Sequence, residues 1–364
     1  MKLFPALEKE YTREHRSARD AQRLAQFIAF GPVIFQVSRL MIKFGILDLL
    51  RNSDEGLTLP ELAEKTQLST YALEVMLEAS LSIGTVLVDP KSERFSLSKT
   101  GWFLLTDPST RVNIDFNHDI NYEGWFHLEE ALKEGRPAGL EHFGPWETVY
   151  EGLSQLPEPV RKSWFAFDHF YSDHSFDEAL SILFKRPIRH LLDVGGNTGR
   201  WALRCVAYDP QVEVTILDLP QQLELMREQV AGQPGANRIH GHGGNLLDPD
   251  MAFPTAPTFE AIWMSQFLDC FGKEEIRSIL ERTAQVMFPG TRLYIMETFW
   301  DRQKFEPATL CLTLTSLYFT AIANGNSKMY HSEQMQQLVE SAGLQVETIH
   351  DFLGWGHSIM VCKK

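Results

Sequence analysis

Cysteine is scarce in this chain, and what there is shows no pattern. Cys205, Cys270, Cys311 and Cys362 are the four in 364 residues, and they stand far apart, without the close spacing of a structural metal site or a redox pair. Isolated thiols fit a reducing compartment, so a cytoplasmic protein is expected. Long apolar runs are missing as well. The most apolar window near the N-terminus, residues 27–37, contains Gly31, Pro32 and Gln36 and is too short to span a bilayer. Charged residues from Lys2 to Glu14 leave no room for a signal-peptide core, which points to a soluble chain with no membrane partner. A basic excess is also absent: the net charge is −14, and because the first 111 residues are balanced, the acidic surplus lies wholly beyond them. Neither part offers the cationic surface that a nucleic acid requires. No compact group of carboxylates or histidines has ligand spacing, so no metal is expected.

What is present is ordinary for a globular protein, with 44% hydrophobic and 23% charged residues. The length exceeds the usual size of one domain. Residues 8–30 read as a charged amphipathic helix and Pro32–Leu50 as a second one, whose wide apolar face needs a partner. Short helices follow at 59–65 and 70–83, the latter with Ser69 as N-cap, then strands at 86–88 and 94–97 around Asp89-Pro90-Lys91. Helix, helix, hairpin is a winged-helix order. Its second helix carries Glu74 and Glu78 and neither Lys nor Arg, a poor match to DNA phosphates, so dimerisation is the expected role and a ligand-sensing DNA-binding regulator the non-enzyme alternative. Residues 113–184 are helical and rich in aromatics and histidines, among them His118, Trp125, Phe167 and Tyr171. Small-molecule sites favour such apolar walls between domains. The boundaries read as 1–111 for the N-terminal domain, 112–184 for the pocket helices and 185–364 for the domain that follows.

That last part begins with Leu191–Gly199, LLDVGGNTG, where an apolar strand ends in Asp193, breaks into glycines and opens a helical pattern. Gly195, Gly196 and Gly199 allow close backbone approach to a ligand, and the free amides of the next helix favour an anionic group. A second strand, Glu213–Leu217, ends in Asp218, placed to accept two hydrogen bonds from a ribose diol. Val194 stands where a dinucleotide fingerprint needs its first glycine. The pattern D-x-G-G-x-x-G therefore favours S-adenosylmethionine, an adenosine cofactor without a pyrophosphate. Strands then alternate with helices at 238–244, 260–267 and 292–297, and a closing pair at 345–350 and 357–362 suggests one antiparallel strand. The fold class expected is α/β: a doubly wound, mostly parallel, seven-stranded Rossmann-like sheet after an α-rich winged-helix domain.

Several segments together resemble the S-adenosylmethionine-dependent O-methyltransferases that carry an N-terminal winged-helix dimerisation domain, the group of plant caffeate and bacterial polyketide methyltransferases. They are Leu47-Asp48-Leu49-Leu50 with Glu61-Leu62-Ala63, Ser172-Asp173-His174-Ser175, Asp193-Val194-Gly195-Gly196, Asp218-Leu219-Pro220 and Phe288-Pro289-Gly290. The resemblance implies a homodimer and a small-molecule acceptor. It puts Gly195 and Gly196 on the methionine part of the cofactor, Asp218 and Leu219 at the ribose, and Asn245 with Leu246 at the adenine. Phe167, Tyr171 and Ser175 match a segment that closes over cofactor and substrate, and Ser265 stands in for a common lysine. Where the family usually reads L-H-D-W, with the histidine as general base, this chain reads Leu268-Asp269-Cys270-Phe271. Glu297 matches one of two acids that orient that histidine, and the second falls on Met329. Asp269 is then either a base whose pKa is raised by burial or by Glu297, or a carboxylate that orients an acceptor already acidic. The altered motif also leaves open a family member that uses S-adenosylmethionine without transferring its methyl group, as hydroxylase, decarboxylase or cyclase.

Overall fold

Two strand types dictate the architecture. Short alternating strands near the N-terminus make a hairpin, whereas the continuous apolar runs further on, such as Leu191, Leu192 and Val194, all fully buried, belong to a sheet covered on both faces. The computed structural model describes residues 3–364, and its contacts divide them into a unit from Glu14 to Asp119 and a larger one that joins the segment up to Arg13 with Ile120–Lys364.

In the smaller unit, helices Ala18–Ala29, Gly31–Lys43, Ile46–Arg51, Leu59–Thr66 and Thr70–Ile83 precede β1 (Val86–Asp89) and β2 (Arg94–Leu97). Both long helices expected from the sequence are broken. The stretch expected as one helix over 8–30 divides: Pro5–Tyr11 ends early and groups with the larger unit, and the Ser17 hydroxyl restarts the helix by accepting from the Asp20 amide at 3.2 Å. The stretch 32–50 breaks at Gly45, whose φ of +71° ends one helix and begins the next. Leu59–Thr66 starts on a capping box, with Thr58 and Glu61 bonded to each other's backbone amides. Helix Ala18–Ala29 buries no residue, and Ile28, Phe30 and Val33 are exposed.

The larger unit holds β3 (His190–Val194), β4 (Glu213–Asp218), β5 (Ile239–Gly243), β6 (Ala261–Ser265), β7 (Arg292–Glu297), β8 (Gln345–Leu353) and β9 (His357–Lys363). They lie in the order β5-β4-β3-β6-β7-β9-β8, parallel except for β9, which runs antiparallel to both neighbours. The chain builds outward from β3 to β4 and β5, then returns to lay β6 on the other side of β3. That reversal leaves a crevice beyond the carboxyl ends of β3 and β6, where open α/β sheets bind ligands. One apolar layer contains Phe176, Trp201 and Trp263 and the other Leu192, Met264 and Phe299. Among the described residues, no single helix is long and apolar enough to cross a membrane.

Candidate active site

The crevice is a cavity of about 80 Å³ whose wall includes Asp193 near the end of β3 and Gly195, Gly196 and Asn197 from the turn after it, with Trp263, Ser265 and Gln266 from the end of β6. The turn is shaped by two close approaches. Gly195 has φ +75°, and a Cβ there would lie 2.3 Å from the Phe267 ring. At Gly196 a Cβ would lie 2.6 Å from the Asp193 carboxyl, which is folded beneath the turn. The backbone is pinned from the neighbouring strand, with the Gly195 amide donating to the Leu217 carbonyl at 2.9 Å. Gly195→Ala forces both an unfavourable φ and displacement of Phe267. It is expected to weaken binding of S-adenosylhomocysteine tenfold or more and to cost about 1–3 kcal/mol of stability, read by calorimetry and thermal unfolding.

Polar atoms around the turn are left without partners inside the protein. Asp193 Oδ2, Asn197 Oδ1 and Gln266 Oε1 are enclosed and unbonded, an arrangement that suits a polar ligand and is costly without one. Gln266 also holds φ at +45°, a strained conformation of the kind that clusters at functional sites. Burial and then the charge of Asp218 push the Asp193 carboxyl up to about 8. Asp218, at the end of β4, accepts from the Asn197 amide at 2.8 Å and the Leu219 amide at 2.7 Å, and burial raises its pKa against those bonds. Each oxygen keeps a lone pair for a diol. Glycine cradle, orphaned oxygens and a terminal acid thus fit S-adenosylmethionine.

A second group of acids lies close by. Leu268–Cys270 forms a single helical turn after β6, and Glu297, at the end of β7, gathers its first amides: one carboxyl oxygen accepts from Phe267 at 3.1 Å and Leu268 at 2.9 Å. The other oxygen, Oε2, has no partner, although the residue is only 2% exposed. Asp269 on that turn is 5% exposed, and burial pushes its carboxyl up to about 7. Burial and then Asp269 raise Glu297 well above the usual carboxylate range, so the two titrate as a pair. Around them stand Tyr150, bonded to the Cys270 thiol, and Tyr318, whose hydroxyl accepts from Trp164 Nε1 at 2.8 Å; burial raises all three ionisations.

Other residues singled out by the sequence are placed as follows. Leu219 is half-buried beside Asp218, and Gly199 starts the helix Arg200–Tyr208. Met329 is buried, its sulfur accepting from the Thr298 hydroxyl directly after Glu297. Trp125 is half-buried with its indole nitrogen enclosed and unpartnered. Phe167 and Tyr171 pack against each other on one helix, rings 5.0 Å apart. Ser175, Asn245, Leu246 and His118 are among the expected positions that do not line the cavity. Ser175 is fully buried, and its hydroxyl is hydrogen-bonded with His357 Nδ1 at 2.9 Å. Asn245 uses its carbonyl to accept from the Leu247 amide, Leu246 is buried in the apolar layer, and His118 belongs to the smaller unit. Sequence reading gave no site role to Asp168, His169, Ser172 and Asp173, although Ser172-Asp173 belongs to a motif it quoted; these four line the cavity from helix Glu158–Asp173, and Arg200, also unassigned, pairs with Asp173. The signal was there: Asp168/Ser172 and His169/Asp173 are two polar pairs at helical spacing in an otherwise aromatic segment.

Comparison with known proteins decides the family. Residues 125–345 match the O-methyltransferase domain, and residues 22–95 match a Dimerisation2-like domain. The chain belongs to the O-methyltransferase family. As such it is an S-adenosylmethionine-dependent methyltransferase. It is 23% identical to an L-tyrosine C(3)-methyltransferase of Streptomyces lavendulae, an alignment that covers 95% of this chain and 93% of that one. The fold is that of the S-adenosylmethionine-dependent methyltransferase SibL, with a TM-score of 0.70 at 21% identity over 93% of this chain and 98% of the other. It is also that of human N-acetylserotonin methyltransferase in complex with its cofactor, at 0.67 and 19% identity over 96% and 99% of the two chains. Among the described residues of this methyltransferase, no group of three or more His, Cys, Asp or Glu side chains could hold a metal ion.

Proposed function

We propose that this methyltransferase acts as a homodimer on a hydroxyl oxygen of a small aromatic or conjugated acceptor, with Asp269 and Glu297 doing the work that a histidine does in most relatives. The observation that carries the reading is the buried carboxyl pair formed by Asp269, one turn beyond the strand that lines the cofactor crevice, and Glu297, at the end of the adjacent strand. A phenol ionises near 10 and an ordinary aspartate near 3.9, a mismatch that makes the latter a feeble base. Burial narrows the gap by pushing Asp269 up to about 7. When bound, S-adenosylmethionine supplies an electrophilic methyl group on a cationic sulfur. Asp269 then orients the acceptor hydroxyl and takes its proton. Glu297, fixed by the Phe267 and Leu268 amides, holds the turn that carries Asp269 and shares the proton through its free oxygen. Asp193, Asn197 and Gln266 supply polar contacts to the cofactor, and Phe267 closes the turn from above. The exposed apolar side chains Leu24, Ile28, Phe30 and Val33 and the Dimerisation2-like segment support the dimer.

The test is incubation with S-adenosylmethionine and a panel of phenols and catechols. Expected are stoichiometric S-adenosylhomocysteine and an O-methylated product by mass spectrometry, from a protein that light scattering shows to be dimeric. Product without S-adenosylhomocysteine, or no cofactor binding by the folded dimer, would overturn the reading.

A further inference from the structure

Asp269 sits in the middle of Leu268–Cys270, a turn of three residues that is too short to hold its own shape. Glu297 secures its beginning through the amides of Phe267 and Leu268. The other end, where the carbonyls of a helical turn point onward without intrahelical partners, is met from a different part of the chain. The Asn324 side-chain amide donates to the Cys270 carbonyl at 2.5 Å, and the Tyr330 hydroxyl donates to the Phe271 carbonyl at 2.7 Å. Tyr330 is buried, its ring in the same apolar layer as Leu268 and Phe299, so a partner for its hydroxyl is required there. Both donors come from residues 324–332, which are themselves anchored. Asn324 follows the π-helical turn Phe319–Ala323, an irregularity common at functional sites, and its oxygen accepts from the Ser327 hydroxyl at 2.8 Å. Further on, Ser332 donates through its amide and its hydroxyl to the buried Asp301 at 2.7 and 2.6 Å. The turn that carries Asp269 is thereby held by a carboxyl at one end and by two donors at the other.

We propose that Asn324 and Tyr330 are positioning residues that act on methyl transfer through Asp269: by fixing the two carbonyls that follow it, they aim its carboxyl at the acceptor hydroxyl. This rests on the catalytic reading of Asp269 given above. A misplacement of about 1 Å at a reacting group can cost on the order of a hundredfold in rate, so the loss of either donor is felt in the chemical step. Asn324 and Tyr330 take no proton themselves. The cofactor cradle, shaped by Gly195 and Gly196, does not depend on them.

Tyr330→Phe deletes a single oxygen, and Asn324→Ala removes the other donor. Each is made in the full-length parent and in Asp269→Asn, and methyl transfer from S-adenosylmethionine to catechol is followed in single turnovers once calorimetry shows unchanged S-adenosylhomocysteine affinity. Expected in the parent is a rate at saturating catechol that falls tenfold or more, with the half-saturating concentration changed by less than about twofold. In Asp269→Asn the same substitutions should cost less than twofold, because the group they aim is gone. Cys270, half-buried in the same turn, gives a second readout that needs no acceptor. Its alkylation by iodoacetamide, read by peptide mass spectrometry, should be at least tenfold faster in Tyr330→Phe, while the buried Cys205 and Cys362 keep their parent rates. Equal losses of rate in both backgrounds, a parent-like rate in both single variants, or alkylation that is unchanged at Cys270 or rises alike at Cys205 and Cys362 would overturn the inference. A parent-like rate in Asp269→Asn itself would instead sink the catalytic reading, and the inference with it.

Discussion

Asp269→Asn is expected to lower kcat by two to four orders of magnitude, the range associated with removing a positioned general base, while leaving S-adenosylhomocysteine affinity within a factor of about two. The asparagine keeps the volume and one acceptor oxygen, so the acceptor still docks. What is lost is the ability to take its proton. KM for a phenol should therefore change far less than kcat, which separates chemistry from binding. Steady-state kinetics beside calorimetry checks this. A variant that loses affinity for the acceptor and keeps kcat would mean that Asp269 only orients. The cofactor cradle rests on other residues, Gly195, Gly196 and Asp218, and is not expected to respond.

Glu297 gives the second large effect, and two substitutions divide it. Glu297→Leu removes the acceptor for the Phe267 and Leu268 amides in a buried place. Two stranded donors cost roughly 1–3 kcal/mol each, so a loss of about 3 kcal/mol is expected after the relief of removing a buried acid. At this size that corresponds to a fall in Tm of roughly 4–6 °C. Turnover should vanish with it, because the turn that carries Asp269 loses its anchor. Glu297→Gln keeps a carbonyl for the two amides and should unfold within about 1 kcal/mol of the parent. Its kcat should still drop, since an amide cannot share the proton. Differential scanning calorimetry and single-turnover kinetics on the pair separate anchoring from ionisation. Equal turnover in Gln and parent would confine Glu297 to the structural part.

Much of the fold was legible because strong local signals point the same way. The LLDVGGNTG turn, the EVTILD strand and the alternation after it predict a parallel sheet with one antiparallel strand, and the order β5-β4-β3-β6-β7-β9-β8 has that form. Helix boundaries were less legible. Apolar periodicity runs straight through Gly45, and only its left-handed φ stops the helix, a property that a glycine within a periodic run does not advertise. The site divides along similar lines. Gly195, Gly196 and Asp218 follow from backbone geometry near one turn, which sequence spacing encodes. Asp168 comes from a helix some 25 residues upstream of that turn, and Tyr150 from further still, so their meeting with Asp269 depends on packing that spacing does not carry. Ser175 shows the reverse case: it occupies a recognisable motif, yet its hydroxyl is spent on His357.

The pH dependence follows from the same acids. Burial raises Asp168, Asp193 and Asp269, so the folded protein holds protons that the unfolded chain releases above about pH 4. Stability from these groups is complete below that value and declines as pH rises toward 7 and 8. Catalysis runs the other way, since Asp269 must be ionised to accept a proton. The most direct measurement is an infrared titration of the carboxyl bands in the parent protein, with Asp269→Asn subtracted. The account predicts that the carboxyl signal missing from the variant titrates well above the range of a solvated aspartate, because burial raises Asp269. A midpoint near 4, where a solvated aspartate ionises, would contradict it.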